Sequence, residues 1–449
     1  LWIQGHGERL LIPKVLIVAE SCNPEWVSVP LVGWKHAEAL SRRCGVHIAT
    51  QVRNREAFLR AGLTEGADFT AIDSELAARL MWKVGERLRG GAGKGWTTLS
   101  AAMSVAYYYF EHVLWDQLGD RIAAREWDIV HRITPLSPTV PSLLAKKCAR
   151  ADVPFIMGPL NGGVPWPREF DAARRAEKEW LSYVRSAYKL LPGYGSTRKH
   201  SSAIIVGSKD TWALEPKRYE AKLRYIPENA VDPSRFTVVR SHRAKLPLRI
   251  AFVGRLVPYK GCDMLLEAAA PLIRAGQLTV EVIGDGPQRA ELDAIVAREG
   301  IGAGVTMAGW VAHADLQHRL SKCDLFGFPS IREFGGGVVL EAMAVGLVPI
   351  VVRYGGPGEL VTHDTGFLLK IASRSSIVSE LRTVLEKLVA QPEVIEPLSM
   401  AAREHVLTHF TWDAKATQTL AIYREVLTAR DRRSDKTDSK SPPTAPTAA

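Results

Sequence analysis

Two doubly wound α/β domains facing a cleft are what this sequence predicts, and three observations carry that expectation. Short apolar runs of strand type alternate with helical segments along both halves of the chain, the pattern of parallel sheets covered by helices. Several of these runs end directly in glycine-rich turns that open a helix, as at Gly254–Gly261 and Gly335–Gly337. At 449 residues the chain is long enough for two cores, and a basic stretch without apolar period separates the halves. The boundaries read as a first domain over 1–240, a linker over 241–247 and a second domain over 248–410. A helix over 411–429 follows, and 430–449, rich in Pro, Ser, Thr and Lys, reads as a disordered tail.

Hydrophobic residues at 46% and charged residues at 24% suit a soluble globular protein. A net charge of +10 invites phosphate-rich partners, but the cations are scattered, which argues against nucleic acid. Peripheral contact with an anionic membrane is a further partner that this charge admits. The five cysteines (Cys22, Cys44, Cys148, Cys262, Cys323) are odd in number, far apart and without a C-x-x-C, so free thiols in a reducing compartment are expected. The opening residues lack the layout of a signal peptide, and no stretch approaches the length of an apolar membrane span. A cytoplasmic protein, at most peripheral at the inner face of the membrane, is the expectation.

In the first half, Val15–Ala19 is a buried-type strand, followed by a long loop carrying Gly33, a helix over Lys35–Arg43 and a strand over Val46–Thr50. From Leu76 to Trp127 aromatic residues recur among cations, as two helices flanking a glycine cluster at 90–95. That cluster is no P-loop, because Gly95 stands where Ser or Thr should be. Packing within the domain is the plain reading of this region, and a basic aromatic surface for a lipid-linked acceptor or a membrane the alternative. Asp128–His131 reads as a short strand ending at its carboxyl edge, which places His131 in the cleft. Phe155–Val164 runs from a strand into a loop at Gly162 and Gly163, and Ser202–Ser208 is the next strand.

In the second half, strand Leu248–Val253 leads into a loop bearing Arg255 and Lys260, then a helix over Asp263–Ala270. A planar guanidinium fork and a compact ammonium on such a loop suit a diphosphate. Strand Val280–Ile283 ends in Gly284-Asp285-Gly286, and Arg289 occupies the third glycine position of a dinucleotide fingerprint, which excludes the dehydrogenase reading. Val305–Val311 is a further strand and turn. Strand Asp324–Phe328 then enters the stretch on which the reading turns, Pro329–Pro349. Glu333 stands at the mouth of Gly335-Gly336-Gly337, and Glu341 follows after seven intervening residues, inside an Ala-rich helix before strand Val348–Val352. Consecutive glycines let the backbone approach a ligand closely, and free N–H groups at a helix start suit an anion. The glutamates suit sugar or ribose hydroxyls instead, so the stretch reads as a nucleotide-sugar loop.

Glu333 and Glu341 form an E-x7-E pattern within PS-x-x-E and LEAMA-x-G, and Gly254–Gly261 reads G-R-L-x-x-x-K-G. In these motifs the chain resembles the retaining glycosyltransferases of family 4, which have the GT-B fold. The resemblance is dense over Leu248–Leu369 and looser over Val15–Asp232. It extends to Gly355–Glu359, similar to a turn bordering the donor pocket, and to Gly158–Gly163, similar to a loop of one family branch. The resemblance implies transfer of a sugar from a nucleoside-diphosphate donor to a carbohydrate or lipid-linked acceptor hydroxyl, in glycan, polysaccharide or glycolipid synthesis, without metal or cofactor. It assigns the donor to Arg255, Lys260, Gly284, Gly286, Val311, Glu333, Gly335, Gly336, Gly337, Val338 and Glu341. Glu333, His131, Arg255 and Lys260 are the implied catalytic set, and Gly33, Gly162 and Gly163 the implied acceptor or phosphate loops. Three positions depart from the pattern: Trp34 and Ala230 replace glycines, and Phe334 stands where the family has the glycine of E-G-F-G.

The implied chemistry separates a sugar anomeric carbon from a nucleoside diphosphate. Donors preorganised around the developing phosphate charge supply the largest catalytic term, and Arg255, Lys260 and the N–H groups of Gly335–Gly337 are the candidates. No second carboxylate is evident for a double displacement, so front-face attack is the expected retaining route. Two alternatives share parts of this reading: a GT-B-type sugar-nucleotide 2-epimerase and a non-catalytic nucleotide-sugar-binding scaffold.

Overall fold

The computed structural model describes residues 2–3, 10–75, 96–162, 165–170 and 187–438. A short antiparallel ribbon pairs β1 (Trp2–Ile3) with β2 (Leu10–Leu11). The first domain is a seven-stranded sheet of β3 (Lys14–Ala19), β4 (Gly45–Gln51), β5 (Phe69–Ile72), β6 (Ile129–Thr134), β7 (Phe155–Leu160), β8 (Ala203–Val206) and β9 (Leu223–Tyr225). Its strands run parallel in the order β5-β4-β3-β6-β7-β8-β9. Helices α1 (Val29–Ser41), α2 (Arg55–Arg60), α3 (Trp96–Ala123), α4 (Leu144–Arg150), α5 (Tyr194–His200) and α6 (Lys209–Leu214) belong to it.

The second domain alternates β10 (Leu248–Val253), α7 (Cys262–Arg274), β11 (Leu278–Ile283), α8 (Arg289–Arg298), β12 (Val305–Gly309), α9 (His313–Leu320), β13 (Leu325–Phe328), α10 (Gly337–Val345), β14 (Val348–Val352), α11 (Gly355–Leu360) and β15 (Phe367–Leu369). Its six parallel strands lie in the order β12-β11-β10-β13-β14-β15. Helices α12 (Arg374–Ala390), α13 (Ile395–His409) and α14 (Trp412–Asp438) complete the chain. Central strands such as β14, Val-Pro-Ile-Val-Val, are buried throughout because helices cover both faces of the sheet, so they read as continuous apolar runs. In each sheet the order reverses beside the first strand, between β3 and β6 and between β10 and β13. Such a reversal opens a crevice at the carboxyl ends of the strands.

The last helix ties the two halves together. Val231 N–H donates to Phe410 O at 2.8 Å, and Ala416, Leu420, Tyr423 and Leu427 of α14 join the first-domain core with Val15, Ala37 and Leu40. The helix runs on to Asp438 rather than stopping at 429. Residues 430–438 contain no glycine or proline to end it. Residues 439–449 lie outside the described residues, as do the glycine cluster at 90–95 and the helix expected before it. Among the described residues no helix is long and apolar enough to cross a membrane.

Two expectations about the first domain are corrected. Helix α1 begins at Val29, six residues before the expected start, with Pro30 in its first turn, where a missing N–H costs nothing. Gly33 therefore lies inside a helix, past the four free N–H groups of its start, and is not a phosphate loop. A Cβ at Gly33 would come within 2.6 Å of Ser21 O, so the residue is small to let α1 pack on the turn after β3.

His131 does not face the cleft. Strand β6 continues to Thr134, which leaves His131 mid-strand between Ile17 and Ile156, fully buried. Its Nε2 lies 2.8 Å from Gly158 O and its Nδ1 2.6 Å from the Tyr423 hydroxyl. A carbonyl only accepts, so Nε2 carries the proton and Nδ1 accepts from Tyr423. Burial pushes the imidazole down to about 4 and keeps it neutral. The residue fastens α14 to the sheet. Tyr423→Phe removes the donor to a buried nitrogen and should cost about 1–3 kcal/mol in urea unfolding, with no change in nucleotide affinity. An unchanged unfolding midpoint would contradict this role.

Candidate functional site

The crevice at the β10/β13 reversal is assembled from four loops whose backbones meet without side chains between them. Leu256 N–H donates to Asp285 O at 3.0 Å, and Gly284 N–H to Gly309 O at 2.8 Å. Gly284 has φ +142°, and a Cβ there would sit 1.9 Å from Gly254 O. A Cβ on Gly286 would sit 2.4 Å from Leu256 O. Both N–H groups are already engaged, Gly286 with Asp285 Oδ1 at 2.7 Å. These two glycines act by letting the loops after β10 and β11 close on each other.

Opposite charges converge across the reversal. Lys260, after β10, donates through Nζ to Glu333 Oε2, after β13, and the two side chains keep 17% and 19% of their exposure. The ammonium also lies 5.4 Å from the Phe328 ring centroid, which favours a cation there. Arg255, on the same loop as Lys260, is exposed and makes no ion pair among the described residues. Gly356 N–H donates to Glu333 O at 3.0 Å and fixes the backbone of the turn. Gly336, in the left-handed region at φ +62°, caps α10, so the free N–H groups of Gly337 and half-buried Val338 open toward the crevice.

Glu341, in the second turn of α10, places Oε1 2.9 Å from His313 Nε2, and Arg235 Nη2 lies 3.0 Å from His313 Nδ1. Val311, half-buried, follows β12 and precedes this histidine.

The first domain reaches the same turn. A Cβ on Gly335 would sit 1.9 Å from Asn229 Nδ2 and 3.7 Å from the Glu228 carboxyl carbon, so this glycine is where the two domains touch. Glu228 accepts from Asn161 Nδ2, at the end of β7, and is held above its ordinary value of 4.5 by burial. Glu359 of α11 also crosses: it accepts Lys209 N–H at 2.8 Å and the Tyr225 hydroxyl at 2.8 Å. The Gly355–Glu359 turn was expected to border the donor pocket; its Gly356 lies on Glu333 O, and its Glu359 carboxylate caps the first-domain helix α6. Tyr354 donates to Pro165 O at 2.7 Å, and Trp166 packs into the second-domain core beside Tyr259 and Arg332.

Arg255, Lys260, Gly284, Gly286, Val311, Glu333, Gly335, Gly336, Gly337, Val338 and Glu341 thus belong to the loops and helix starts around one crevice. Gly162 lies across the domain boundary from them, its N–H on Asn161 Oδ1 at 2.9 Å and its carbonyl accepting from Thr211 Oγ1 at 3.1 Å. His131 and Gly33 are elsewhere, and Gly163 lies outside the described residues. Glu228, Asn229, Arg235 and His313 were missed. The available signals were the glutamate within Pro227-Glu228-Asn229-Ala230 and a histidine opening a helix directly after β12. Among the described residues no group of three or more His, Cys, Asp or Glu is placed to hold a metal.

Comparison with known proteins gives three results. Residues 238–396 match the family described as glycosyl transferases group 1. A 2-deoxystreptamine glucosyltransferase of Streptomyces kanamyceticus is 30% identical over 210 residues, covering 44% of this chain and 54% of the relative. A D-inositol 3-phosphate glycosyltransferase of Rhodococcus opacus is 34% identical over 183 residues, covering 39% of this chain and 40% of the relative. The chain spans about half the length of the curated relatives it matches. Among solved structures, Anabaena HepE in complex with UDP and glucose superposes over 92% of this chain and 100% of its own, with TM-score 0.54 and 15% identity. That likeness shows the GT-B fold.

The raised Glu228 carboxyl gives a pH test of the domain contact. The folded chain binds this proton more tightly than the unfolded chain, so stability falls as pH rises from 4.5 through the raised value. Glu228→Gln keeps an oxygen for Asn161 and removes the titration. Its stability relative to the parent should therefore rise as pH increases from 4.5 through the raised value, and then level off. Parallel stability curves in urea unfolding at the two ends of that range would exclude the assignment.

Proposed function

We propose, on the premise that residues 238–396 form a group-1 glycosyltransferase domain within a GT-B fold, that the chain moves a sugar from a nucleoside-diphosphate donor to an acceptor hydroxyl. What supports the reading is the Lys260–Glu333 pair at the strand-order reversal of the second domain, with the α10 start following Glu333, Arg255 on the loop of Lys260 and Glu341 in the second turn of α10. A diphosphate takes the cations and the N–H groups, and hydroxyls take the carboxylates.

In this reading the bond between the anomeric carbon and the distal phosphate oxygen breaks with its electron pair going to the diphosphate. Arg255 and Lys260 stabilise that charge as it develops, with the N–H groups of Gly337 and Val338. Glu333 accepts from sugar hydroxyls on the face where the anomeric carbon becomes cationic, and Glu341 accepts from the ribose. The acceptor oxygen bonds to the anomeric carbon from the same face, which retains its configuration, and its proton leaves with the diphosphate. The acceptor enters from the first-domain side, past Asn161 and Gly162. Among carbohydrate and lipid-linked acceptors, relatives named for 2-deoxystreptamine and D-inositol 3-phosphate make small polyols the first to try.

A thermal-shift panel of UDP, GDP, ADP, TDP and their common sugars tests the reading directly. One nucleotide at ~100 times its Kd should stabilise the fold by about 2.7 kcal/mol. Lys260→Ala should weaken that nucleotide by roughly 10- to 100-fold, the worth of a charge-assisted contact, and Glu341→Ala should raise the donor KM. Flat melting across the panel, or normal donor kinetics in both variants, would remove the site. A product of inverted anomeric configuration would remove the front-face route.

A further inference from the structure

Glu341 is not held by its own helix. Its Oε1 lies 2.9 Å from Nε2 of His313, the first residue of α9, and Oε2 makes no hydrogen bond to any described residue. The ring of His313 stands edge-on to Phe236, with centroids 5.7 Å apart and planes at 88°. Phe236 is buried in the second-domain core, so the backbone beside it is anchored. The neighbouring Arg235 brings Nη2 to 3.0 Å from His313 Nδ1. Three separate segments, the chain leaving the first domain, the turn after β12 and α10, therefore end in one line of side chains.

The direction of each hydrogen bond follows from the chemistry of the outer groups. A guanidinium only donates, so His313 Nδ1 must be the acceptor, and the ring proton resides on Nε2. Nε2–H then donates to Glu341 Oε1, and a carboxylate only accepts. No other neutral tautomer satisfies both contacts. Arg235 thereby fixes the tautomer of His313, and His313 fixes one oxygen of Glu341 and leaves the other without a described partner. Without that restraint the carboxylate is free to rotate about its terminal torsion, and each contact with a ligand then carries an ordering cost.

We propose that His313, oriented by Arg235, is a positioning residue that sets the carboxylate of Glu341 for the ribose hydroxyls of the donor. The proposal rests on the donor-site reading above and adds the device by which the site tells ribose from deoxyribose. A carboxylate whose free oxygen is held in one direction rewards a hydroxyl at one place, and a loose one rewards hydroxyls indifferently. The expected signature is therefore a loss of discrimination as well as a loss of affinity.

The test uses the full chain and calorimetric titration with UDP, GDP and ADP against their 2′-deoxy counterparts. The parent should bind its preferred ribonucleotide about tenfold or more tighter than the deoxy form, the worth of one hydrogen bond to a charged group. Glu341→Ala should abolish that ratio. His313→Ala should bring it below about threefold, and the double variant should fall no further, because the two residues act as one unit. His313→Gln, which keeps an N–H donor, should recover part of the ratio. Arg235→Ala, an exposed change outside the core, should lower it by releasing the tautomer, and gives the same readout should the histidine variant fold poorly. An intact ratio in His313→Ala, with Glu341→Ala abolishing it, overturns the proposal and leaves the donor site standing. Equal weakening of ribo and deoxy forms in His313→Ala also overturns it. Failure of every nucleotide to bind the parent, or a ratio untouched by Glu341→Ala, overturns the donor site and this proposal together.

Discussion

The Lys260–Glu333 ion pair is the interaction around which the second domain is arranged. It exists because the strand order reverses between β10 and β13, which makes neighbours of two loops far apart in the chain. The loops after the adjacent strands β10 and β11 come so close that only glycine fits at Gly284 and Gly286. Both partners are largely withdrawn from water, where a pair at contact distance interacts much more strongly than at an exposed surface. Neither is sealed, however. A lysine that keeps a sixth of its exposure remains reachable by an incoming anion, and a fully buried one such as Lys415, bound to Pro227 O, does not.

The contact between domains is built on a different plan. Apolar packing contributes through Trp166 and α14, but near the crevice the ties are polar and mostly to backbone: Glu359 on Lys209 N–H, Tyr354 on Pro165 O. Glu228 and Glu359, one from each domain, are both held above the usual carboxylate range by burial. A carboxylate kept in such a place against its desolvation cost needs every available donor. Asn161 serves Glu228, and Tyr225 with Lys209 serves Glu359. Glu228 also lies between the end of β7 and the Gly335 turn, so the first-domain loop carrying Gly162 and the second-domain loop carrying Glu333 adjoin one buried carboxyl group.

Most of the second domain was legible in the sequence because each of its signals is local. Strand β14 occupies the residues read as its apolar run, Val348–Val352, and Lys260, Glu333 and Glu341 each sit on a turn or helix that its neighbours in the chain define. The errors arose where a boundary was misjudged. Reading β6 as ending at His131 instead of Thr134 moved one histidine from the core to the cleft, because a strand's end decides whether its last side chain meets solvent. Reading α1 as starting at Lys35 put Gly33 in a loop for the same reason. The residues missed altogether, Glu228, Arg235 and His313, gain their meaning only from partners on other segments. No local pattern reveals a partner of that kind.

The two ends of the donor reading therefore depend on restraint of different kinds. At the phosphate end Lys260 is held by Glu333, and an arriving diphosphate oxygen competes with that carboxylate for the same ammonium. Sharing the lysine loosens Glu333 and leaves its oxygens for sugar hydroxyls, so binding the leaving group prepares the residue that faces the sugar. At the ribose end nothing has to be released: His313 occupies one oxygen of Glu341 and leaves the second open. The nucleoside then meets a preset acceptor, and the diphosphate meets a pair that must rearrange. In the proposed reading the contact of Lys260 with the diphosphate strengthens as charge develops on the leaving group, which is the differential stabilisation that catalysis requires. In the same reading the proposed ribose contact serves recognition alone.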